Sequence, residues 1–295
     1  MQKIEAKLNW RMHPLNASRL TLLFIACSFV YSVSTFAADT KLTPETQQKT
    51  TFQTIKEKIR VRTFSEFMTP SITGNDTNVP TPEGDALFST NAFNIAWIDY
   101  EVANNWRLLY WQRALVFFSG TPDAPGMSVM ARNPRFALRR TNVFSVPNLT
   151  TTYDLYVQPG LAPEATTQGR KLEMGFRTNT SYEFPHSKWS MGAITEFTVS
   201  PFSSTADYYG WAMSWASYDL NKTFSTQHYA TVNFRHEKGA QGLFQWDEPM
   251  PFVQNGIGVN ISEQVWVSVF LNNYLTMAPT LKNTWASLWF VLTVL

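Results

Sequence analysis

The chain has 295 residues, of which 44% are hydrophobic and 15% aromatic, and its 24 Lys and Arg residues nearly balance its 22 Asp and Glu residues. A formal net charge of +2 gives no reason to expect a nucleic-acid partner. The chain contains a single cysteine, Cys27, which excludes a disulfide within the chain.

The N-terminal segment has the organisation of an export signal. Four basic residues precede the nearly continuous apolar run 20–33, and small residues follow it at 34–38. We predict a signal peptide over residues 1–37, because the run is shorter than the roughly 20 residues that a membrane-spanning helix needs. Lipoprotein-type cleavage at Cys27 is a weaker alternative, since the apolar run continues past it. Removal of 1–37 leaves 20 basic and 21 acidic residues and no thiol for a metal site or a nucleophile.

Beyond a polar segment at 38–56, which we expect to lie in the periplasm, apolar and polar residues alternate in twelve stretches. We predict β-strands at 57–68, 91–102, 106–118, 135–146, 151–161, 171–184, 189–200, 209–220, 226–237, 252–261, 265–275 and 284–295. The connections between them alternate short and long. The even number of strands brings both ends of this predicted domain, 57–295, to the same side.

The alternation separates charged from apolar residues within single strands. In 171–184 the charged residues, among them Glu173 and Arg177, all occupy odd positions, whereas Phe176, Phe184 and other apolar residues occupy even ones. Successive side chains of a strand point to opposite faces. The pattern therefore predicts one polar and one apolar face.

The hairpin near residue 104 sets the register of two further strands. A three-residue turn, 103–105, would keep four charged residues on one face: Asp99, Glu101, Arg107 and Arg113. A two-residue turn would spread charges over both faces, and a charge facing mid-bilayer lipid costs about 2–4 kcal/mol for Arg or Lys. We therefore predict the three-residue turn.

Aromatic residues flank most of the short connections, as Phe184 and Trp189 do around 185–188. Together with the alternating strands and the export signal, they resemble the features of Gram-negative outer-membrane β-barrel proteins. The resemblance implies an all-β, antiparallel transmembrane β-barrel of about 12 strands, within a range of 10–14, in the cell outer membrane. The final strand is similar to the C-terminal insertion signal of this class, although Leu295 stands where Phe is usual. A soluble β-sandwich is disfavoured because two sheets need only about seven to nine strands.

Charged residues on the polar face would line the lumen of such a barrel. The predicted lumen residues are Lys58, Arg60, Arg62, Glu66, Asp99, Glu101, Arg107, Arg113, Asp154, Lys171, Glu173, Arg177, Glu196 and Arg235. Mixed rings of charge can line a water-filled path and set its selectivity, or they can fill a narrow interior. The basic residues on the first and third strands favour anions. A family of twelve-stranded acidic-sugar channels with Arg-lined lumens is similar in this respect.

Residues for catalysis or metal binding are sparse. His186, His228 and His236 are scattered, and the position two after His236 is a lysine where outer-membrane phospholipases keep a serine. The Asp247-Glu248 pair is expected to be solvated. We predict no catalytic residues, no metal site and no cofactor.

The sequence therefore predicts a passive, porin-like channel for small hydrophilic solutes, with anions favoured. Two alternatives stay open: an interfacial, phospholipase-like hydrolase, and a structural barrel with a filled lumen. The expected partners are outer-membrane lipid and lipopolysaccharide, the barrel-assembly machinery and small solutes, without nucleic acid.

Overall fold

The computed structural model describes residues 57–71, 91–118, 120–121, 124–125, 128–243, 245–246, 251–275, 278–281 and 284–294. The predicted signal peptide, the polar segment 38–56 and the Asp247-Glu248 pair lie outside these residues.

The described residues form sixteen β-strands and one five-residue helix, α1 (Pro163–Thr167). The strands are β1 (Ile59–Ser71), β2 (Asn91–Ala103), β3 (Trp106–Phe117), β4 (Gly120–Thr121), β5 (Ala124–Pro125), β6 (Ser128–Ala131), β7 (Arg135–Thr141), β8 (Leu149–Pro159), β9 (Leu172–Glu183), β10 (Trp189–Val199), β11 (Ala206–Asp219), β12 (Phe224–Glu237), β13 (Gln245–Trp246), β14 (Phe252–Asn260), β15 (Val265–Tyr274) and β16 (Thr284–Thr293). No helix among the described residues is both long enough and apolar enough to span a bilayer.

The strands pair into a ring with twelve positions. The segments β6 and β7 both pair with β3 and share one position, and β13 and β14 both pair with β12 and share another. All pairings are antiparallel, β1 pairs with β16, and the β11–β12 pair completes the ring. The predicted fold, a closed antiparallel barrel of twelve strands, is confirmed. Closure removes the unpaired edges that an open sheet would present.

Strand β9 shows how the wall meets two different environments. Met174 and Phe176 are 43% and 37% exposed, whereas Glu173, the residue directly before Met174, is fully buried. Apolar residues are therefore outside and polar residues inside, as in barrels whose outer surface contacts lipid.

The turn between β2 and β3 differs from the prediction. It contains only Asn104–Asn105, and Asn105 takes a φ of 61°, a left-handed conformation that asparagine tolerates. The register shifts between Glu101 and Ala103, and this irregularity keeps Glu101 opposite Arg107. The predicted three-residue turn is wrong, but the predicted face of the charged residues is retained.

Strand β7 is shorter than the predicted strand 135–146. It ends at Thr141 because Asn142 takes a φ of 51°, outside the extended region that a strand requires. Leu149 then begins β8 two residues earlier than predicted. The other predicted strands overlap the observed ones, with ends that differ by no more than three residues.

The two ends of the barrel differ in the length of their connections. One end, here called the short-turn end, carries Asn104–Asn105, 142–148, 184–188, 220–223 and 261–264. The other, here called the long-loop end, carries the remaining connections, several of which extend beyond the described residues.

Candidate functional site: the lumen of the barrel

The inner wall of the barrel divides into two parts with different charge. The strands β14, β15 and β16 contain no Asp, Glu, Lys or Arg, whereas the inward faces of β1 to β10 carry most of the charged side chains. At the boundary, Gln254 Nε2 of β14 donates a hydrogen bond to Glu66 Oε1 of β1 at 3.3 Å. The lumen is therefore charged along one part of its circumference, which we call the polar part, and uncharged along the other.

Three arginines and one glutamate meet near the middle of the polar part, and we call Arg113, Arg135, Arg177 and Glu196 the central arginine cluster. Arg135 donates from both terminal nitrogens to the two oxygens of Glu196, at 2.7 and 2.8 Å. The two side chains are only 2% and 4% exposed. This bond joins β7 to β10 past two intervening strands, so the pair lies inside the lumen. The Arg135 guanidinium also lies 3.8 Å from the centre of the Tyr156 ring.

The other two arginines of the cluster are less completely neutralised. Arg177 Nη1 is 3.7 Å from Glu196 Oε2, and its guanidinium lies 5.0 Å from the centre of the Trp111 ring. Arg113 donates to the uncharged amide oxygen of Gln158 at 2.7 Å, and its Nε has no hydrogen-bond partner among the described residues. The cluster therefore holds three guanidinium groups against one carboxylate.

A second network lies beside the cluster, toward the long-loop end, around the fully buried Glu173. Its carboxylate accepts hydrogen bonds from Gln158, Ser200 and Tyr209 at 2.6, 2.5 and 3.2 Å. Arg170 Nη1 lies 3.6 Å away. Donors from several strands thus satisfy this buried charge, as burial requires.

Tyr156 connects the wall to this network through a close approach to Gly175. The Tyr156 hydroxyl donates to the Phe197 carbonyl oxygen at 3.2 Å and lies 2.5 Å from Thr198 Oγ1. A Cβ atom at Gly175 would lie only 2.6 Å from this hydroxyl. The Phe197 carbonyl oxygen would lie closer still, so glycine is needed where this carbonyl and the Tyr156 ring both approach β9.

The predicted residues near the short-turn end also form ion pairs. Asp99 is 1% exposed; Arg107 Nε donates to one of its oxygens, and Arg62 Nη2 lies 3.3 Å from the other. Arg107 Nη1 donates to Glu101 Oε2 at 3.1 Å. Nearby, Asp154 is held on both oxygens by one arginine of β7. These carboxylates are therefore compensated locally.

An aromatic group covers the uncharged part of the lumen, and we call Phe64, Tyr229, Trp266, Phe270 and Trp289 the aromatic wall. The Trp289 ring lies 4.6 Å from Phe270, 4.9 Å from Tyr229 and 5.3 Å from Phe64, measured between ring centres. The contact with Tyr229 joins β16 to β12 past β15 and β14. Aromatic rings thus reach across this side of the lumen and narrow it.

Four of the predicted lumen residues lie near the rims. Arg60 and Lys171 are exposed, and Arg235 forms an exposed ion pair with Glu237 at 2.9 Å. The Lys58 backbone oxygen accepts a hydrogen bond from Arg107 Nη2 at 3.2 Å. None of these four belongs to the central arginine cluster.

The sequence prediction missed two inward arginines, Arg135 and Arg139. Arg139 donates to both oxygens of the Asp154 carboxylate at 2.6 and 2.7 Å. The following residue, Arg140, lies on the outer face and hides the alternation. The apolar residues Phe136 and Leu138 alternate with inward positions, and this alternation was the sequence signal for the inward face of β7. Both side chains are exposed on the outer face.

Among the described residues, His236 lies beside a carboxylate and an aromatic ring. His236 Nδ1 lies 3.2 Å from Asp207 Oδ2, and its ring stacks on Tyr208 at 4.8 Å. The hydrogen bonds of the described residues include none between His236 and a Ser or Thr hydroxyl. Within the same residues, no group of three or more His, Cys, Asp or Glu side chains could hold a metal ion.

No protein-family model matches the chain, and no curated protein sequence matches it either. Among solved structures, the crystal structure of the COG4313 outer membrane channel from Pseudomonas putida F1 is similar over 80% of this chain and 94% of that chain, with 11% identity and a TM-score of 0.48. Salmonella typhi OmpF in complex with daunomycin is similar over 80% of this chain and 96% of that chain, with 6% identity and a TM-score of 0.40. These values are too low for either structure to indicate a shared function.

A closed antiparallel ring with apolar side chains exposed outside and ion pairs buried inside defines the class of this protein. The chain is a β-barrel protein of the outer-membrane type.

Proposed function

We propose that this chain is an outer-membrane channel with a narrow lumen, which passes small hydrophilic solutes and prefers anions. The observation that carries the proposal is the central arginine cluster, in which three guanidinium groups surround one carboxylate in the middle of the lumen. Charged side chains lining a pore set the sign of the ions that pass.

The charge excess persists when the neighbouring network is included. Glu173 adds one carboxylate, but Arg170 stands 3.6 Å from it and compensates that charge. Arg113 and Arg177 are left without a carboxylate at hydrogen-bond distance. An anion that entered the lumen would meet these two guanidinium groups and could accept hydrogen bonds from them.

The packing of the lumen argues for a narrow path. Buried ion pairs occupy the polar part, and the aromatic wall extends across the uncharged part. In a wide, water-filled pore most lumen side chains would be hydrated, whereas Asp99, Glu173 and Arg135 are at most 1% exposed. Small solutes therefore fit the proposal better than large ones.

On this proposal the short-turn end faces the periplasm and the outer wall contacts phospholipid and lipopolysaccharide. The barrel-assembly machinery would insert the chain after export. Fractionation of cell envelopes, combined with the heat-dependent gel mobility of folded barrels, tests this location. Recovery of the folded chain in a detergent-free soluble fraction would contradict it.

The ion preference is tested by reversal potentials in planar bilayers under a KCl gradient. We expect discrete current steps and a higher permeability to chloride than to potassium. The double variant Arg113→Gln/Arg177→Gln should lose this preference, because it removes two of the three guanidinium groups that share the single carboxylate of the cluster. The control Arg140→Gln, an identical change on the outer wall, should keep it.

Two results would overturn the proposal. The absence of current steps from correctly folded protein would favour the alternative of a structural barrel with a filled lumen. A reversal potential that is equal in the wild type and the double variant would mean that the central arginine cluster does not line the conducting path.

A further inference from the structure

The outer wall of the barrel carries a large apolar groove. It crosses β2, β3, β7, β8, β9 and β10, has a volume of about 920 Å³, and is lined by side chains such as Leu108, Leu138, Leu155 and Phe176. Leu108 and Leu155 are 51% and 54% exposed, so the groove opens to the surroundings of the barrel and not to the lumen. On this face the surroundings are hydrocarbon.

A single cation lies at the short-turn end of this groove, within the part of the chain that the structure describes. Arg140 is the next outward position after Leu138 on β7, and its guanidinium lies 5.1 Å from the centre of the Trp106 ring. The strand registers place Arg140 opposite Trp106 on one side and Tyr153 on the other. The described residues provide no carboxylate partner for it. An arginine between aromatic residues at the end of a transmembrane strand is typical of headgroup level.

We propose that this surface binds one glycerophospholipid from the leaflet at the short-turn end. The phosphodiester would accept hydrogen bonds from Arg140, whose guanidinium suits a phosphate geometrically. An acyl chain would lie in the groove. From Arg140 to Phe136 the strand advances about 13 Å at about 3.3 Å per residue, which at a strand tilt of about 40° is about 10 Å along the membrane normal and stays within the roughly 15 Å of hydrocarbon in one leaflet.

A lipid fits this surface better than a second copy of the chain. In a twofold dimer whose axis passes through this groove, one groove would face the other and both would stay unfilled. The same contact would bring two Arg140 side chains together without a counter-charge. A phospholipid supplies both the apolar chain and the negative charge. The site lies on the outer wall, so it does not depend on the proposed channel function.

Native mass spectrometry of the detergent-solubilised barrel, titrated with phosphatidylglycerol, tests the proposal. We expect one tightly retained lipid per barrel. Arg140→Gln should weaken its binding about tenfold, as loss of a charge-assisted hydrogen bond implies, and Arg140→Lys should restore part of it. Leu155→Trp should also weaken binding, because the larger side chain occupies the groove. The matched control is Arg60→Gln, an exposed arginine on the inward face at the same end, which should bind as the wild type does.

The outcomes separate the possible occupants. Equal retention of the lipid by wild type, Arg140→Gln and Leu155→Trp would overturn the proposal. So would a lipid-free dimer that Leu155→Trp dissociates, because a second copy would then fill this face. Since Arg140 packs on Trp106, the folding of its variants is checked by gel mobility, and the Leu155→Trp comparison tests the groove without changing Arg140.

Discussion

Replacing Glu196 with glutamine would leave Arg135 buried without its carboxylate. The substitution keeps the size of the side chain and one acceptor oxygen, but it removes the negative charge that now accepts two hydrogen bonds at 2.7 and 2.8 Å. Both side chains are at most 4% exposed, so little water reaches the guanidinium that would lose its partner.

The expected loss follows from this burial. Removing one member of a buried ion pair costs about 3–5 kcal/mol, because an uncompensated charge is left behind. An exposed pair contributes about 0–1 kcal/mol. We expect about 3 kcal/mol for Glu196→Gln, at the lower end of the buried range, since the amide oxygen can still accept one hydrogen bond.

Urea unfolding from lipid vesicles, followed by tryptophan fluorescence, measures this free energy. The control is Glu237→Gln, whose carboxylate pairs with Arg235 at 2.9 Å while both side chains are about half exposed. We expect the control to lose no more than about 1 kcal/mol. If Glu196→Gln lost no more than the control, water would already fill the lumen at this height, and the inferred narrow path would be wrong.

Three further changes test other parts of the structure. Val269→Arg, on the outer face of β15, should cost about 2–4 kcal/mol of unfolding free energy in the same titration, and no cost would contradict lipid contact. Trp289→Ala removes the ring that lies 4.6 Å from Phe270 and should raise single-channel conductance; an unchanged conductance would mean that the path avoids the aromatic wall. Gly175→Val should lower the yield of folded barrel, because its Cβ would clash with the Phe197 carbonyl oxygen and would meet the Tyr156 hydroxyl at 2.6 Å, and a normal yield would refute these close approaches.

The fold was predictable because its signal is local. Alternation along one strand depends only on the geometry of that strand, so Glu173 and Arg177 could be assigned to one face and Phe176 to the other. The number and order of the strands followed from the same pattern. Long-range pairing did not have to be known for this step.

The hairpin at Asn104–Asn105 shows where local reasoning was incomplete. The chain combines a two-residue turn with an irregularity between Glu101 and Ala103, instead of the predicted longer turn. Both solutions keep Glu101 opposite Arg107, because a charge facing lipid is costly in either case. The lipid environment therefore determines which face carries the charges. The backbone keeps them on that face through the irregularity in β2 and not through a longer turn.

The sequence by itself determined the strands and their two faces, since each depends on a repeat of two residues, and the number of strands with the turn-flanking aromatic residues indicated the closed antiparallel class. Only the tertiary structure decided which charges meet: Arg135 and Glu196 are 61 positions apart and pair past two intervening strands. It also placed Trp289 against Tyr229 and formed the outer-wall groove that has Arg140 at its short-turn end. These contacts depend on the curvature of the closed ring, which brings side chains of distant strands together and which no single strand encodes.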